Sequence, residues 1–337
     1  MAARRPRIPS FEVVGDAAST AAAVAARAGA GVQRFVDGLV DRRRPPDLVD
    51  DPDGYAVHVV SPAGEAAPGA PVVIAETGLG GVAADWVPVM EHLGGRAAVW
   101  AADRPGLGWS VSRPDGDGGV RGALQRTALI RDRAGVTGST VLVGWSLGAL
   151  YAMGVAAVRP DLVSGLVLVD PSHPAEARRF ADPSLHPAGR LALMTAARLS
   201  SLGGAAMAGI PGRRYLLRSG AQMGRSLPPD TVTFASARSG RAIFEELARF
   251  SDRCDEFEQI RQQVGLPDVP TVVLTAADRP AAERPAIWEE LHADLAGWFP
   301  QAELRAVHDS THHMTVDRPD AVADAIADVV ARSSGTD

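Results

Sequence analysis

The chain has 337 residues, 46% of them hydrophobic, with 34 Lys plus Arg against 40 Asp plus Glu and a formal net charge of −6. That length suits one α/β domain carrying an insertion, and the apolar share is enough for a large core. An acidic balance without a long basic block argues against nucleic acid as a partner. The single cysteine, Cys254, cannot form an internal disulfide, and no Cys/His cluster has zinc-ligand spacing, so no metal site is expected.

From the N-terminus, Met1 to Arg7 is basic, but Phe11 to Ala30 carries Glu12, Asp16 and Arg27 and lacks the apolar core of a signal peptide. No window is long and apolar enough for a membrane span. A cytoplasmic location with no membrane span is therefore the expectation. Residues 17–40 read as an alanine-rich helix, closed by Arg42-Arg43-Arg44-Pro45-Pro46, so residues 1–50 are set apart as an N-terminal helical extension.

Short apolar runs then alternate with helical patterns. Strands are expected at Tyr55–Val60, Val72–Ala75, Ala97–Ala101, Val141–Val143 and Leu166–Val169, with helices near Gly119–Ala134 and Leu147–Val158. The rhythm stops at Pro171. Residues 172–262 show only helical patterns, among them Ala188–Ser200 and Arg241–Phe250, and strands resume at Thr271–Thr275 and Glu303–Val307 with helices near Glu283–Ala296 and Ala321–Ala331. This alternation predicts an α/β fold, a mostly parallel central sheet flanked by helices. Its core is expected in residues 51–171 and 263–337, interrupted by a helical insertion at 172–262.

The most informative segment is Gly144-Trp145-Ser146-Leu147-Gly148, a G-x-S-x-G string between an apolar strand and an apolar helix. A sharp strand-to-helix turn lifts its central serine above the sheet, next to a helix N-terminus that favours developing negative charge. The two glycines keep side chains out of the tight turn. Ser146 is thus the expected nucleophile.

With this elbow, Asp103-Arg104-Pro105-Gly106-Leu107-Gly108-Trp109-Ser110 after an early strand, Leu166 to His173 leading into the insertion, and His312 spaced to Pro319, the chain resembles the α/β-hydrolase superfamily from about Asp51 to Val330. The likeness is to its capped esterase-like members, which makes residues 172–262 a helical cap. It implies His312 as the base, with adjacent His313 as the alternative register; His308 sits too near the strand end. It implies Asp278, after the strand at Thr271–Thr275, as the acid, with Asp170 one strand earlier as the competitor and Asp309 as a weaker third. It implies an oxyanion hole built from the backbone N–H groups of Leu147 and Leu79, although Thr77 stands in the Thr77-Gly78-Leu79-Gly80-Gly81 loop where the family usually has histidine. Trp145 either lines the pocket or packs, and Phe180, Leu191, Met194 and Met207 either wall the substrate or hold the cap together.

The implied activity is that of a serine esterase using a Ser-His-Asp catalytic triad to hydrolyse a small, apolar carboxylic ester, thioester or lactone through an acyl-serine intermediate, with no cofactor. C–C bond hydrolysis, perhydrolysis and non-catalytic ligand binding are the alternatives on the same residues. Halide displacement and epoxide opening are disfavoured, because related folds perform them with an aspartate nucleophile. Oligomeric state is not indicated.

Overall fold

The computed structural model describes residues 27–38, 47–62, 70–200, 202, 233–279 and 283–334. Its frame is an eight-stranded sheet: β1 (Leu48–Asp50), β2 (Ala56–Val60), β3 (Val72–Glu76), β4 (Ala98–Ala102), β5 (Thr140–Trp145), β6 (Val163–Val169), β7 (Thr271–Ala276) and β8 (Ala302–Val307). Their order is β1-β2-β4-β3-β5-β6-β7-β8. β2 runs antiparallel to β1 and β4, and the other pairings are parallel.

The helices are α1 (27–38), α2 (Val87–Leu93), α3 (Gly119–Arg133), α4 (Leu147–Val158), α5 (Glu176–Arg179), α6 (Pro187–Leu199), α7 (Ala237–Val264), α8 (Pro285–Ala296), α9 (Met314–Asp317) and α10 (Pro319–Ser334). Side chains alternate along each central strand, as the two-residue strand period requires. Ile74, Leu142, Leu166, Leu168 and Val273 join the α4 side of the core, with Leu150, Met153 and Phe257. Val73, Val143, Trp145, Val167 and Leu274 join the opposite side, with Trp86, Val322 and Ile326 from the segments around α2 and α10. Burial on both faces explains why the central strands are continuous apolar runs.

The expected alternation is present, with short elements unforeseen, among them the three-residue β1, α2, whose Pro88 and His92 interrupt an apolar pattern, and the four-residue α5 and α9. Between β6 and β7 the described residues hold helices and no strand. The expected helix at Arg241–Phe250 lies in the first half of a longer α7. Its later residues Phe250, Cys254 and Phe257 belong to the main core cluster beside α4. Of the N-terminal helix expected at 17–40, residues 27–38 are helical; the rest, with the Arg42–Pro46 stop, lies outside the described residues. α1 rests on the start of α7: Gln33 Nε2 donates to Ala235 O at 2.8 Å, and Asp37 Oδ1 accepts from Ala237 N at 2.9 Å. No described helix is long and apolar enough to cross a membrane.

Candidate active site

β5 ends at Trp145 and α4 begins at Leu147, so the single residue Ser146 makes the whole turn. Its φ is 54° and ψ is −123°, a left-handed conformation that an L side chain enters only when its surroundings impose it. Ser146 N donates to Val169 O at 3.1 Å, and Ser146 O accepts from Ser172 N at 3.1 Å, which pins the elbow to the exit of β6. The flanking glycines are sterically required. A Cβ on Gly144 would lie 2.5 Å from Ala149 Cα, and one on Gly148 would lie 2.6 Å from Thr77 O.

Ser146 Oγ lies 2.9 Å from His312 Nε2, and His312 Nδ1 lies 2.6 Å from Asp170 Oδ2. With a carboxylate accepting at Nδ1, that nitrogen carries the proton and Nε2 is left to accept from the serine hydroxyl. The histidine loop is fixed from below: Trp145 Nε1 donates to His312 O at 2.7 Å. Trp145 is buried, so it packs and anchors where the sequence allowed either a lining or a packing role. His313 turns its ring onto Trp145, edge to face at 5.5 Å, and its residue N-caps α9, so the hydrogen bond to Ser146 is made by the first of the two adjacent histidines.

Of the carboxylates considered for the acid, Asp170 is the one that meets His312. Asp278 does not meet His312. It is half exposed and accepts from Asp309 N at 2.6 Å, with His308 Nδ1 at 3.6 Å, tying together the loops after β7 and β8. Asp309 serves as that donor. Strand register supplies the reason. Trp145 on β5 pairs with Val169 on β6, so Ser146 and Asp170 emerge side by side at one level of the sheet. On the next strand Val169 pairs with Leu274, which puts Asp278 well beyond that level.

Asp170 is fully buried and strongly held. Its Oδ1 accepts from Ala276 N at 3.0 Å, and its Oδ2 accepts from Arg279 as well as His312. Burial pushes this carboxyl up, but hydrogen bonding to His312, then the charges of His312 and Arg279, outweigh burial and hold it well below the usual carboxylate range. Nearby His292 is pushed down to about 4, chiefly by burial. Its Nε2 lies 3.0 Å from Pro171 O, which can only accept, so Nδ1 accepts from the Thr275 hydroxyl at 2.7 Å.

Three contributors had no motif to announce them. Arg279 sits beside Asp278 but binds Asp170, and stacks its guanidinium 4.5 Å over Trp288. Trp288 in turn lies 6.5 Å from His312 and 5.0 Å from Phe180, so Phe180 packs on an aromatic that borders the site. Glu176, on α5, accepts from His173 N at 3.3 Å; burial pushes its carboxyl up to about 7, against hydrogen bonding from Ser172 and the charge of His312. Of the other apolar residues expected to wall the substrate or hold the cap, Leu191 is exposed, Met194 is half-buried, and Met207 lies outside the described residues.

The Thr77–Gly81 loop lies against the nucleophile: a Cβ on Gly78 would stand 3.3 Å from Ser146 Cβ. Leu147, buried, opens α4 directly after Ser146. Thr77 Oγ1 donates to Gly81 O at 3.3 Å and accepts from Arg104 Nη1 at 2.8 Å, so its hydroxyl closes the loop where the family's histidine would stand. Among the described residues no group of three or more His, Cys, Asp or Glu could hold a metal ion.

Residues 71–319 match the α/β hydrolase fold family, and the chain belongs to it. An esterase of Mycobacterium tuberculosis is 40% identical over 126 residues, which are 37% of this chain and 41% of that protein; the match thus spans about two fifths of the relative. Among solved structures, a thermophilic esterase from Thermogutta terrifontis superposes with a TM-score of 0.61 at 19% identity, covering 85% of this chain and 98% of that one. The Cif epoxide hydrolase from Acinetobacter nosocomialis gives 0.64 at 15% identity, covering 89% and 96%. At those identities the structural likeness is one of fold.

Proposed function

We propose that the protein is a serine hydrolase of carboxylic esters, thioesters and lactones among them, with Ser146 as nucleophile, His312 as base and Asp170 as the acid that orients it. The observation that carries this reading is the continuous relay of 2.9 Å from Ser146 Oγ to His312 Nε2 and 2.6 Å from His312 Nδ1 to Asp170 Oδ2. A serine hydroxyl is a weak nucleophile until a positioned base accepts its proton, and the relay supplies that base in the required tautomer.

In this mechanism Ser146 Oγ attacks the substrate carbonyl while its proton passes to His312 Nε2. The carbonyl oxygen becomes an oxyanion held by the N–H groups of Leu79 and Leu147. Asp170 stabilises the imidazolium without taking the proton. His312 then protonates the departing alkoxide, leaving an acyl-Ser146 ester. Water, deprotonated by His312, attacks that ester, and collapse of the second tetrahedral species returns the proton to Ser146 and releases the acid. The described helical residues between β6 and β7 act as a cap over the acyl site, with Trp288 and Phe180 supplying an apolar wall suited to a small apolar substrate.

A panel of p-nitrophenyl esters, thioesters and lactones of graded chain length tests the reading. Turnover of at least one member by the wild type, absent in a folded Ser146→Ala variant, is the expected outcome. Tight binding of a panel member without turnover identifies a ligand-binding protein and overturns it.

A further inference from the structure

Arg104 follows Asp103 out of β4 and is fully buried. Its Nη1 donates to Thr77 O at 2.7 Å and to Thr77 Oγ1 at 2.8 Å, and its Nη2 donates to Gly78 O at 2.6 Å. Its Nε and Nη2 also reach Glu246 Oε1 at 2.7 Å and Oε2 at 3.0 Å. Glu246 lies on α7, and its Oε2 accepts the Gly80 N–H at 2.8 Å. One buried ion pair therefore grips three consecutive peptide units of the loop beside Ser146, through Thr77 O, Gly78 O and Gly80 N.

The middle unit matters most. Gly78 C=O and Leu79 N–H belong to the same planar peptide, which is trans, since no cis peptide bond occurs among the described residues. In a trans peptide the two groups point in opposite directions. Anchoring Gly78 O on the guanidinium therefore fixes the direction of the Leu79 N–H, and a charged partner on the carbonyl polarises that N–H into a stronger donor. Glu246 meanwhile occupies the Gly80 N–H, and the Gly81 N–H donates to Gly78 O at 2.9 Å, so neither of these amides competes with Leu79 as a donor for the oxyanion. An arginine is needed for this, because a fork of fixed geometry serves Thr77, Gly78 and Glu246 at once.

We propose that Arg104 and Glu246 are positioning residues for the oxyanion hole: the pair aims the Leu79 N–H at the developing charge and, through Glu246, makes that aim depend on the seating of α7. This rests on the serine-hydrolase reading above.

The test compares wild type with Glu246→Gln and with the neutral double variant Arg104→Gln/Glu246→Gln, which leaves no unpaired buried charge. Each is assayed with a p-nitrophenyl ester, with kcat expressed per active site titrated by a fluorophosphonate. Each is also inhibited with a trifluoromethyl ketone, which forms a tetrahedral oxyanion on the serine. The expected result is kcat lowered about 10- to 100-fold with KM within about 2-fold, and ketone inhibition weakened by a similar factor. A purely structural pair would lower melting temperature and active fraction but leave kcat per titrated site and ketone affinity unchanged, and that result overturns the proposal. Hydrogen exchange of the wild-type Gly80 amide supplies a reading independent of variant folding: slow exchange is expected, and exchange at the rate of an open loop overturns the proposal too. A wild type that neither reacts with the fluorophosphonate nor turns over ester removes the parent reading; an active wild type with indifferent variants removes this one alone.

Discussion

A single oxygen of Asp170 accepts from both the imidazole of His312 and the guanidinium of Arg279. This arrangement keeps the carboxylate ionised although it is fully buried, and it makes Asp170 the residue on which the histidine's tautomer depends. Asp170→Asn should therefore lower kcat about 1,000- to 10,000-fold with the fold retained, whereas Asp278→Asn, which loosens only a surface tie between two loops, should stay within a few-fold; steady-state kinetics on one ester separates them. The bend at Ser146 could be read from its glycine-flanked string, and the imidazole beside it could be narrowed to two adjacent histidines. The carboxylate that meets His312 could not, because whether Asp170 or Asp278 stands level with Ser146 is decided by the register of β5, β6 and β7, which leaves no mark on the chain. Arg279 was hidden for a similar reason: its partner is remote in sequence.

At the scale of elements, the elbow is the most constrained feature. β5, Ser146 and α4 join without a loop, and Gly148 packs its backbone against Thr77, the start of the Thr77–Gly81 loop. Gly148→Ala forces a methyl into that backbone contact, which no side-chain rotation relieves. It should destabilise the protein by about 1–3 kcal/mol and reduce turnover further by displacing the loop, as measured by urea unfolding alongside kcat. The central strands were legible because both their faces are buried, making their residues unbroken apolar runs. β1 spans only Leu48–Asp50, too short to show a period, and α2 covers only two turns. The length of α7 was hidden because its later core-facing residues, Cys254 and Phe257, are set among the charged Asp252, Arg253, Asp255, Glu256 and Glu258, which mask an apolar period.

Across the whole molecule, polar and charged groups are buried in numbers that must be satisfied together. Glu76 pairs with Arg126 at 3.0 Å, Arg104 with Glu246 at 2.7 Å, and Asp117 joins Tyr151 to Arg253, all on the α4 side of the sheet. Such pairs contribute more to a unique arrangement than to net stability, and losing one partner is expensive. His292 gives the fold a specific acid sensitivity. The unfolded chain protonates it near the ordinary value of 6.5, but the folded protein only near 4, so between those values the unfolded state binds more protons and stability falls as pH drops. The contribution is about 3 kcal/mol, fully lost below the lower value. His292→Gln should therefore show a smaller loss of unfolding free energy between pH 7 and pH 4 than the wild type, by urea titration at both values; an equal loss in both proteins would place the sensitivity elsewhere.

The central claim is that Ser146 is an activated nucleophile, and active-site labelling measures it most directly. Wild-type protein treated with a fluorophosphonate and digested for peptide mass mapping should carry one adduct, on Ser146, with labelling abolished in Ser146→Ala and slowed in Asp170→Asn. Folded wild-type protein that takes up no label, or that is labelled at another residue while Ser146 stays unmodified, would contradict the account.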